Sequence, residues 1–198
     1  MTLTIGIDPG LTGAIAAVDR ERLVWVIDMP TVNNQVAVPL LDQLYNPNEY
    51  GPWDLCGDEP VAIEHVHSMP KQGVASTFAF GKAYGVVLGY MSANGHRITH
   101  VAPTEWKRTF TLTGKDKDAA RLLAIELWPD MANMFSRKKD CGRADAALIA
   151  LHHARNNYHT RIQSSRDELD ALRGVTRHHT GVATVTPLPA VRNGWAEA

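Results

Sequence analysis

Three short apolar segments separated by turn residues open the chain and constrain its fold more than any other feature. Residues 3–7, 14–18 and 23–27 are rich in β-branched or small apolar side chains. Turn-forming residues such as Pro9 separate the segments. Because such short connections join neighbouring antiparallel strands, the segments predict a three-stranded meander with Asp8 at the end of its first strand.

Strands alternate with helices after this meander. Residues 61–66 predict a fourth strand and residues 98–101 a fifth. The ranges that predict helices are 36–45, 76–94, 103–110, 118–127 and 142–159. Three antiparallel strands followed by alternating strands and helices are typical of an α/β fold. We therefore expect a five-stranded mixed sheet, three antiparallel strands and then two parallel ones, flanked by helices.

Length and composition favour one domain with a short extension. The chain has 198 residues, of which 44% are hydrophobic and 21% charged, as in an ordinary globular protein. We expect the domain over residues 1–160 and a largely mobile extension over 161–198, where the apolar periodicity fades. No apolar run approaches the ~20 residues that span a bilayer, and the start of the chain lacks the basic residues of a signal peptide. The chain also has only two cysteines, which is typical of a reducing compartment. Together these features predict a cytoplasmic protein that does not bind membranes.

Charge is unevenly distributed, although the net charge is only -1. Residues 1–96 carry four basic and ten acidic side chains, whereas residues 97–143 carry ten basic and six acidic ones. An enzyme that gathers catalytic carboxylates and also binds a polyanion needs such an asymmetry. A solvated charged face would give the same pattern, so the asymmetry alone does not establish a nucleic-acid partner.

Three carboxylates occur among apolar or small residues. Asp8 ends the first predicted strand, Glu64 lies in the fourth, and Asp145 lies among alanines at the start of the last helix. Three such groups raise each other's pKa unless a divalent cation lies among them, and oxygen ligands suit Mg²⁺ or Mn²⁺. Singly, each has a structural explanation as a cap, a salt bridge or a helix-dipole partner. Together they predict a metal site.

The segments that carry these carboxylates resemble the motifs of a known family. Residues 5–10, 62–64 and 143–150 are similar to the three acidic motifs of RuvC-type Holliday junction resolvases, which belong to the ribonuclease H-like superfamily. Residues 64–85 are most similar to the phage and prophage branch. The resemblance covers residues 3–155 and implies a ribonuclease H-like fold.

The resemblance also implies an activity, a cofactor and partners. The expected enzyme is a structure-specific endodeoxyribonuclease that cleaves four-way junctions or related branched DNA by two-metal hydrolysis. Mg²⁺, or Mn²⁺ as a substitute, would be held by Asp8, Glu64 and Asp145. A two-fold homodimer would present two such sites to the symmetric strands of a junction.

Basic residues near these motifs are the expected DNA contacts. Residues 101–107 and 113–117 resemble the resolvase segment whose lysines hold junction DNA. The expected phosphate contacts are Lys107, Lys115, Lys117, Arg108, Arg121 and Lys71. His67 replaces the aromatic wedge of the family, and we expect it to stack on a base or donate to a phosphate, although a surface histidine would look the same in sequence.

The chain departs from the family at its fourth acid. Cellular RuvC enzymes carry that acid three residues before the last aspartate, and here the position is Gly142. Asp140 is the nearest substitute, but in a continuous helix it would point ~140° away from Asp145. We therefore expect either that Asp140 joins the catalytic metal ligands from a loop before the helix or that water replaces the missing acid.

Three glycines recur in the helix predicted over residues 76–94. Gly81, Gly85 and Gly89 each cost that helix ~1 kcal/mol relative to alanine, so a close contact along this face should compensate. The contact could be with the sheet or with a second subunit.

Two other functions are compatible with parts of the sequence. Residues 8–13 also resemble the phosphate loop of sugar kinases and actin-like ATPases, but the duplicated domains of those proteins do not fit this length. The glycine in place of the fourth acid is compatible with a junction-binding protein that no longer cleaves DNA. The three remaining carboxylates favour an active enzyme.

Overall fold

The computed structural model describes residues 3–43, 55, 59–66, 73–116, 118–172, 175–177 and 183–185. Its strands are β1 (Leu3–Asp8), β2 (Ala14–Asp19), β3 (Arg22–Asp28), β4 (Thr31–Val32), β5 (Gln35–Val36), β6 (Val61–Glu64), β7 (Ile98–Val101), β8 (Val175–Arg177) and β9 (Ala183–Val185). Its helices are α1 (Val38–Asp42), α2 (Val74–Ala93), α3 (Pro103–Thr109), α4 (Ala119–Leu127) and α5 (Cys141–Leu172). Two 3-10 helices, Pro129–Phe135 and Lys138–Asp140, precede α5.

Five strands form one mixed sheet in the order β3-β2-β1-β6-β7. β1, β2 and β3 are antiparallel neighbours, whereas β6 runs parallel to β1 and β7 parallel to β6. The prediction of three antiparallel strands followed by two parallel ones, flanked by helices, is confirmed.

Alternation along the central strand divides the core into two layers. Ile5 and Ile7 belong to a cluster that includes Val87 and Met91 of α2. Ala62 belongs to the second cluster, which contains buried residues of α3, α4 and α5. The two faces of the sheet are therefore covered by different helices.

The close approach of α5 to the sheet depends on Gly6. A Cβ atom at this position would collide with the backbone of Ala146 and Ala150. Because a glycine faces alanines across this contact, α5 lies directly on β1. The first turns of α5, which carry Asp145, are therefore held against the central strand that ends at Asp8.

Two local predictions were wrong. In the described part of the range 36–45, which ends at residue 43, the predicted helix is Val38–Asp42. It follows a β4–β5 hairpin in which Asn33 and Asn34 have φ of 51° and 56°, as a two-residue type I′ turn requires. The last helix ends at Leu172 and not near residue 159. It continues because no Gly or Pro occurs between residues 143 and 173.

The chain separates into two compact units, Met1–Asn156 and Asn157–Ala198. The first unit contains the five-stranded sheet. The second contains the C-terminal part of α5 and the antiparallel pair β8–β9. Mobility of the extension over 161–198 stays a prediction. Within the described ranges, no helix is long and apolar enough to cross a membrane.

Candidate active site

Asp8 and Glu64 are neighbours at the ends of two parallel strands. The register pairs Gly6 of β1 with Ala62 of β6, so the residues two positions further on, Asp8 and Glu64, come side by side. Because side chains alternate along a strand, both carboxylates lie on the same face of the sheet as Gly6, which is the face that α5 covers.

Asp145 of α5 completes an electrostatically coupled group. Burial, followed by the charge of Glu64, raises the pKa of Asp8 to about 6. Burial, followed by the charges of Asp8 and Glu64, raises the pKa of Asp145 to about 7. The Lys107 ammonium opposes both shifts. Asp8 and Asp145 therefore lie where negative charge is unfavourable, in part because Glu64 is close to both.

The indole of Trp106 forms a hydrogen bond with the carboxylate of Glu64. Trp106 Nε1 donates to Glu64 Oε1 at 2.9 Å, and the tryptophan side chain is fully buried. The Nζ atom of the next residue, Lys107, lies 5.1 Å from the centroid of the Trp106 ring. The sequence singled out this segment for its lysine and gave no sign of the role of the tryptophan.

Gly142, at the position of the missing fourth acid, packs closely against the backbone of the β1–β2 turn. A Cβ atom built on Gly142 would lie 2.7 Å from the carbonyl oxygen of Thr12 and 3.0 Å from Cα of Gly13. The N-terminal end of α5 thus lies against the β1–β2 turn. A side chain at position 142 would force this turn away from the helix.

Asp140 forms an ion pair with Arg137. Its carboxylate accepts hydrogen bonds from Arg137 Nη2 at 2.7 Å and from the Arg137 backbone N–H at 2.8 Å. Burial opposes ionisation, but the Arg137 hydrogen bonds and charge prevail and lower the pKa of Asp140. The residue lies in a 3-10 turn directly before α5. Both carboxylate oxygens of Asp140 accept hydrogen bonds from Arg137. The role of Asp140 as a metal ligand stays a prediction.

The expected DNA contacts differ in how they are placed. Lys107 lies close enough to Asp8 and Asp145 to lower the pKa of both, whereas Arg108 and Lys115 are exposed. Arg121 is only 8% exposed, and its guanidinium donates to both oxygens of Asp118 and to the Phe135 carbonyl. The remaining predicted contacts, His67, Lys71 and Lys117, lie outside the described residues.

His152 links α3 to α5 and was not predicted from the sequence. Its Nδ1 atom lies 2.9 Å from Thr109 Oγ1, and its Nε2 atom lies 3.5 Å from Glu105 Oε1. Burial lowers the pKa of His152. This buried imidazole therefore fixes the helix that carries Trp106 and Lys107 onto the helix that carries Asp145.

The donor chemistry of the three carboxylates fits a hard divalent cation. All ligands are oxygens, and their mutual repulsion would be relieved by a positive ion. Among the described residues, however, no group of three or more His, Cys, Asp or Glu side chains is arranged so that it could hold a metal ion. Asp8 and Glu64 share one face of the sheet, and both are electrostatically coupled to Asp145 of α5.

Comparison with known proteins gives one similar curated sequence. No family model matches the chain. The chloroplastic Holliday junction resolvase MOC1 of Chlamydomonas reinhardtii is 31% identical over 138 residues, which are 69% of this chain and 15% of that protein. The chain therefore spans only a small part of the length of this relative.

The solved structures of a bacterial resolvase are similar in fold. RuvC of Thermus thermophilus matches with a TM-score of 0.52 and 21% identity over 81% of this chain and 96% of that chain. The same protein in complex with a Holliday junction substrate matches with a TM-score of 0.49 and 20% identity over 82% and 96%. The first match confirms the RuvC-like, ribonuclease H-like fold, whereas the phage branch stays a prediction.

Proposed function

We propose that this chain, which resembles the RuvC-type Holliday junction resolvases in both sequence and fold, is a metal-dependent endonuclease that cleaves four-way junctions or related branched DNA. The observation that carries the proposal is the burial of Asp8 and Asp145 close to each other and to Glu64: burial first, and then the charges of the neighbouring carboxylates, raise the pKa of both aspartates. A fold has no need of three repelling carboxylates on one face, whereas phosphodiester hydrolysis by metal ions does.

Asp8, Glu64 and Asp145 would hold the metal. Mg²⁺, or Mn²⁺ in its place, would when bound supply an activated water and stabilise the leaving 3′ oxygen, with two ions as the preferred number. Asp140 is left out of the ligand set because Arg137 binds its carboxylate. The Trp106 indole binds Glu64 Oε1, and Oε2 takes no part in this bond.

Lys107 is the proposed contact for the phosphate that is cut. Its charge acts on both Asp8 and Asp145, so it can neutralise a phosphate brought to the carboxylates. Exposed Arg108 and Lys115 would bind flanking phosphates, and Lys117, Lys71 and His67 stay proposed contacts. Arg121 is left out because its hydrogen bonds are satisfied inside the protein.

A homodimer is the proposed assembly, with one face of α2 as the contact. A Cβ atom at Gly81, Gly85 or Gly89 would meet nothing within 4 Å, so packing against the sheet does not explain these glycines. Val74 and Phe78, which are 87% and 74% exposed, extend the same face at helical spacing. A second copy of α2 fits this face because glycines let two helices approach closely and the aromatic residue adds buried area.

The proposed dimer is tested by sedimentation velocity on Phe78→Glu and on a matched control, Leu122→Glu. Leu122 of α4 is another large exposed apolar residue, 55% exposed, but it lies on a different helix. The Phe78 variant should sediment as a monomer and the Leu122 variant as a dimer. A Phe78 variant that remains dimeric would place the interface elsewhere.

The proposed activity is tested with labelled four-way junction, replication fork and linear duplex in Mg²⁺. We expect paired cuts in the junction and no cuts in the linear duplex. Tight junction binding without cleavage would instead identify a binding protein, and ATP hydrolysis without DNA cleavage would identify the kinase-like alternative.

The proposed compartment is the cytoplasm, of a bacterial host if the chain is phage-encoded.

A further inference from the structure

We propose that Trp106 is a positioning residue for the metal site, and that its indole N–H fixes the carboxylate of Glu64 in the orientation that binds a divalent cation. The inference rests on the proposed function, because it assigns Glu64 as a metal ligand. It concerns a residue that itself touches neither DNA nor metal, since Trp106 is fully buried.

The hydrogen bond has the ordinary length of an N–H···O bond and joins distant parts of the chain. Trp106 Nε1 lies 2.9 Å from Glu64 Oε1, between residues 42 positions apart. The indole N–H can only donate a hydrogen bond, and an ionised carboxylate can only accept one. The direction of this bond is therefore fixed. With Oε1 bound in this way, rotation of the Glu64 carboxylate is restricted, and Oε2 takes no part in the bond that restricts it.

The helix that carries Trp106 is fixed independently of this bond. Pro103 begins α3 directly after β7. At the other end of the helix, Thr109 Oγ1 lies 2.9 Å from Nδ1 of the buried His152 in α5. Because α3 is attached to both the sheet and α5, the indole is held before any ligand arrives. Such pre-organisation makes a supporting hydrogen bond effective.

The alternative explanation is that Trp106 is a core residue whose N–H simply requires a partner. The chain provides a matched comparison in Trp128, which belongs to the same apolar cluster and is 6% exposed. Its Nε1 donates to the backbone carbonyl of Glu21 at 2.8 Å. Removing the N–H from either tryptophan removes one buried hydrogen bond, but only Trp106 binds a proposed ligand.

The test is calorimetric titration of Mn²⁺ into the full chain without DNA, for wild type, Trp106→Phe, Trp128→Phe and Glu64→Gln. Loss of a partner that orients a ligand typically weakens metal binding about 10-fold or more. We expect this loss in Trp106→Phe and not in Trp128→Phe, although both should be destabilised to a similar extent. In cleavage assays, Trp106→Phe should lower kcat and leave KM for the junction unchanged.

A second measurement uses the unaltered protein. In a ¹⁵N-labelled sample, the indole cross-peak of Trp106 should shift when Mg²⁺ is added, and that of Trp128 should not. A Trp106 peak that does not move, or wild-type Mn²⁺ affinity in Trp106→Phe, would overturn the positioning role if Glu64→Gln still loses metal. If Glu64→Gln binds Mn²⁺ as the wild type does, the proposed metal site itself fails.

Discussion

Gly142 lies so close to Asp8 that a Cβ atom built on the glycine would come within 3.2 Å of the aspartate Oδ2 atom. The family's fourth acid would stand at this position, three residues before Asp145. The contact explains its absence, because α5 is seated on the β1–β2 turn through a residue without a side chain. The proposed metal site would therefore be completed differently from that of a four-acid enzyme.

Restoring the acid at this position should be harmful. Gly142→Asp forces a side chain against the Thr12 carbonyl and adds a charge beside Asp8. We expect the free energy of unfolding to fall by about 1–3 kcal/mol, as for other overpacked sites, and cleavage to decrease. Gly142→Ala is the comparison, because it adds the crowded Cβ atom without the charge and should therefore destabilise the protein less. A Gly142→Asp variant that is stable and cleaves faster would refute this explanation.

Asp140 should act through stability and not through chemistry. Asp140→Asn leaves Arg137 without its ion-pair partner, and we expect the free energy of unfolding to fall by about 1–3 kcal/mol. Cleavage per folded molecule should stay near the wild-type rate. Arg137→Gln breaks the same pair and should give a similar loss in denaturant unfolding. A severe loss of cleavage in Asp140→Asn alone, with Mn²⁺ affinity also reduced, would return Asp140 to the metal ligands.

Metal-free protein should become less stable as the pH rises from about 4 to about 7. The pKa values of Asp8 and Asp145 are raised to about 6 and about 7 from the ordinary aspartate value of 3.8, so the folded state binds their protons more tightly than the unfolded state does. Their contribution is complete below about pH 4 and is lost as pH rises through the folded pKa values.

Unfolding by denaturant from pH 5 to 8 in EDTA measures this loss. At pH 8 we expect Asp145→Asn to be more stable than the wild type by about 2–4 kcal/mol, and Mg²⁺ to stabilise only the wild type. Asp130→Asn, an exposed residue, serves as the control. Parallel pH curves for wild type and Asp145→Asn would show that the carboxylates do not repel each other.

Lys107 should contribute to binding as well as to the environment of the carboxylates. Lys107→Ala should weaken junction binding and reduce the slope of log affinity against log salt by about 1, the value for one lost phosphate contact. Lys82→Ala on α2 is the control, because this exposed lysine lies outside the basic stretch. An unchanged salt slope in the Lys107 variant would show that DNA is bound elsewhere.

Local patterns predicted much of the fold. Short apolar segments between turns predicted the meander. A charged residue within an apolar segment indicated Glu64 as a candidate metal ligand. The length of α5 could also have been predicted, since no Gly or Pro interrupts it. The Arg137–Asp140 pair is similarly local, three residues apart, and its spacing was a signal that sequence reasoning did not use.

Contacts between distant residues could not be predicted. The Trp106 indole meets Glu64 because β6, β7 and α3 are adjacent in the fold, and nothing in either segment specifies that distance. The same holds for His152 with Thr109, which depends on how α3 packs against α5. Periodicity identified the spacing of the α2 glycines, but only the structure shows that they face away from the sheet.

Single-turnover cleavage of a labelled four-way junction tests the central claim most directly, with protein in excess and Mg²⁺ present. The variants are Asp8→Asn, Glu64→Gln and Asp145→Asn, with Asp130→Asn as the control. Each of the three should lose cleavage by at least about 1000-fold while binding the junction as well as the wild type or better, because a negative charge near phosphate is removed. Asp130→Asn should cleave normally. Near-wild-type cleavage by any of the three would contradict a site built from Asp8, Glu64 and Asp145.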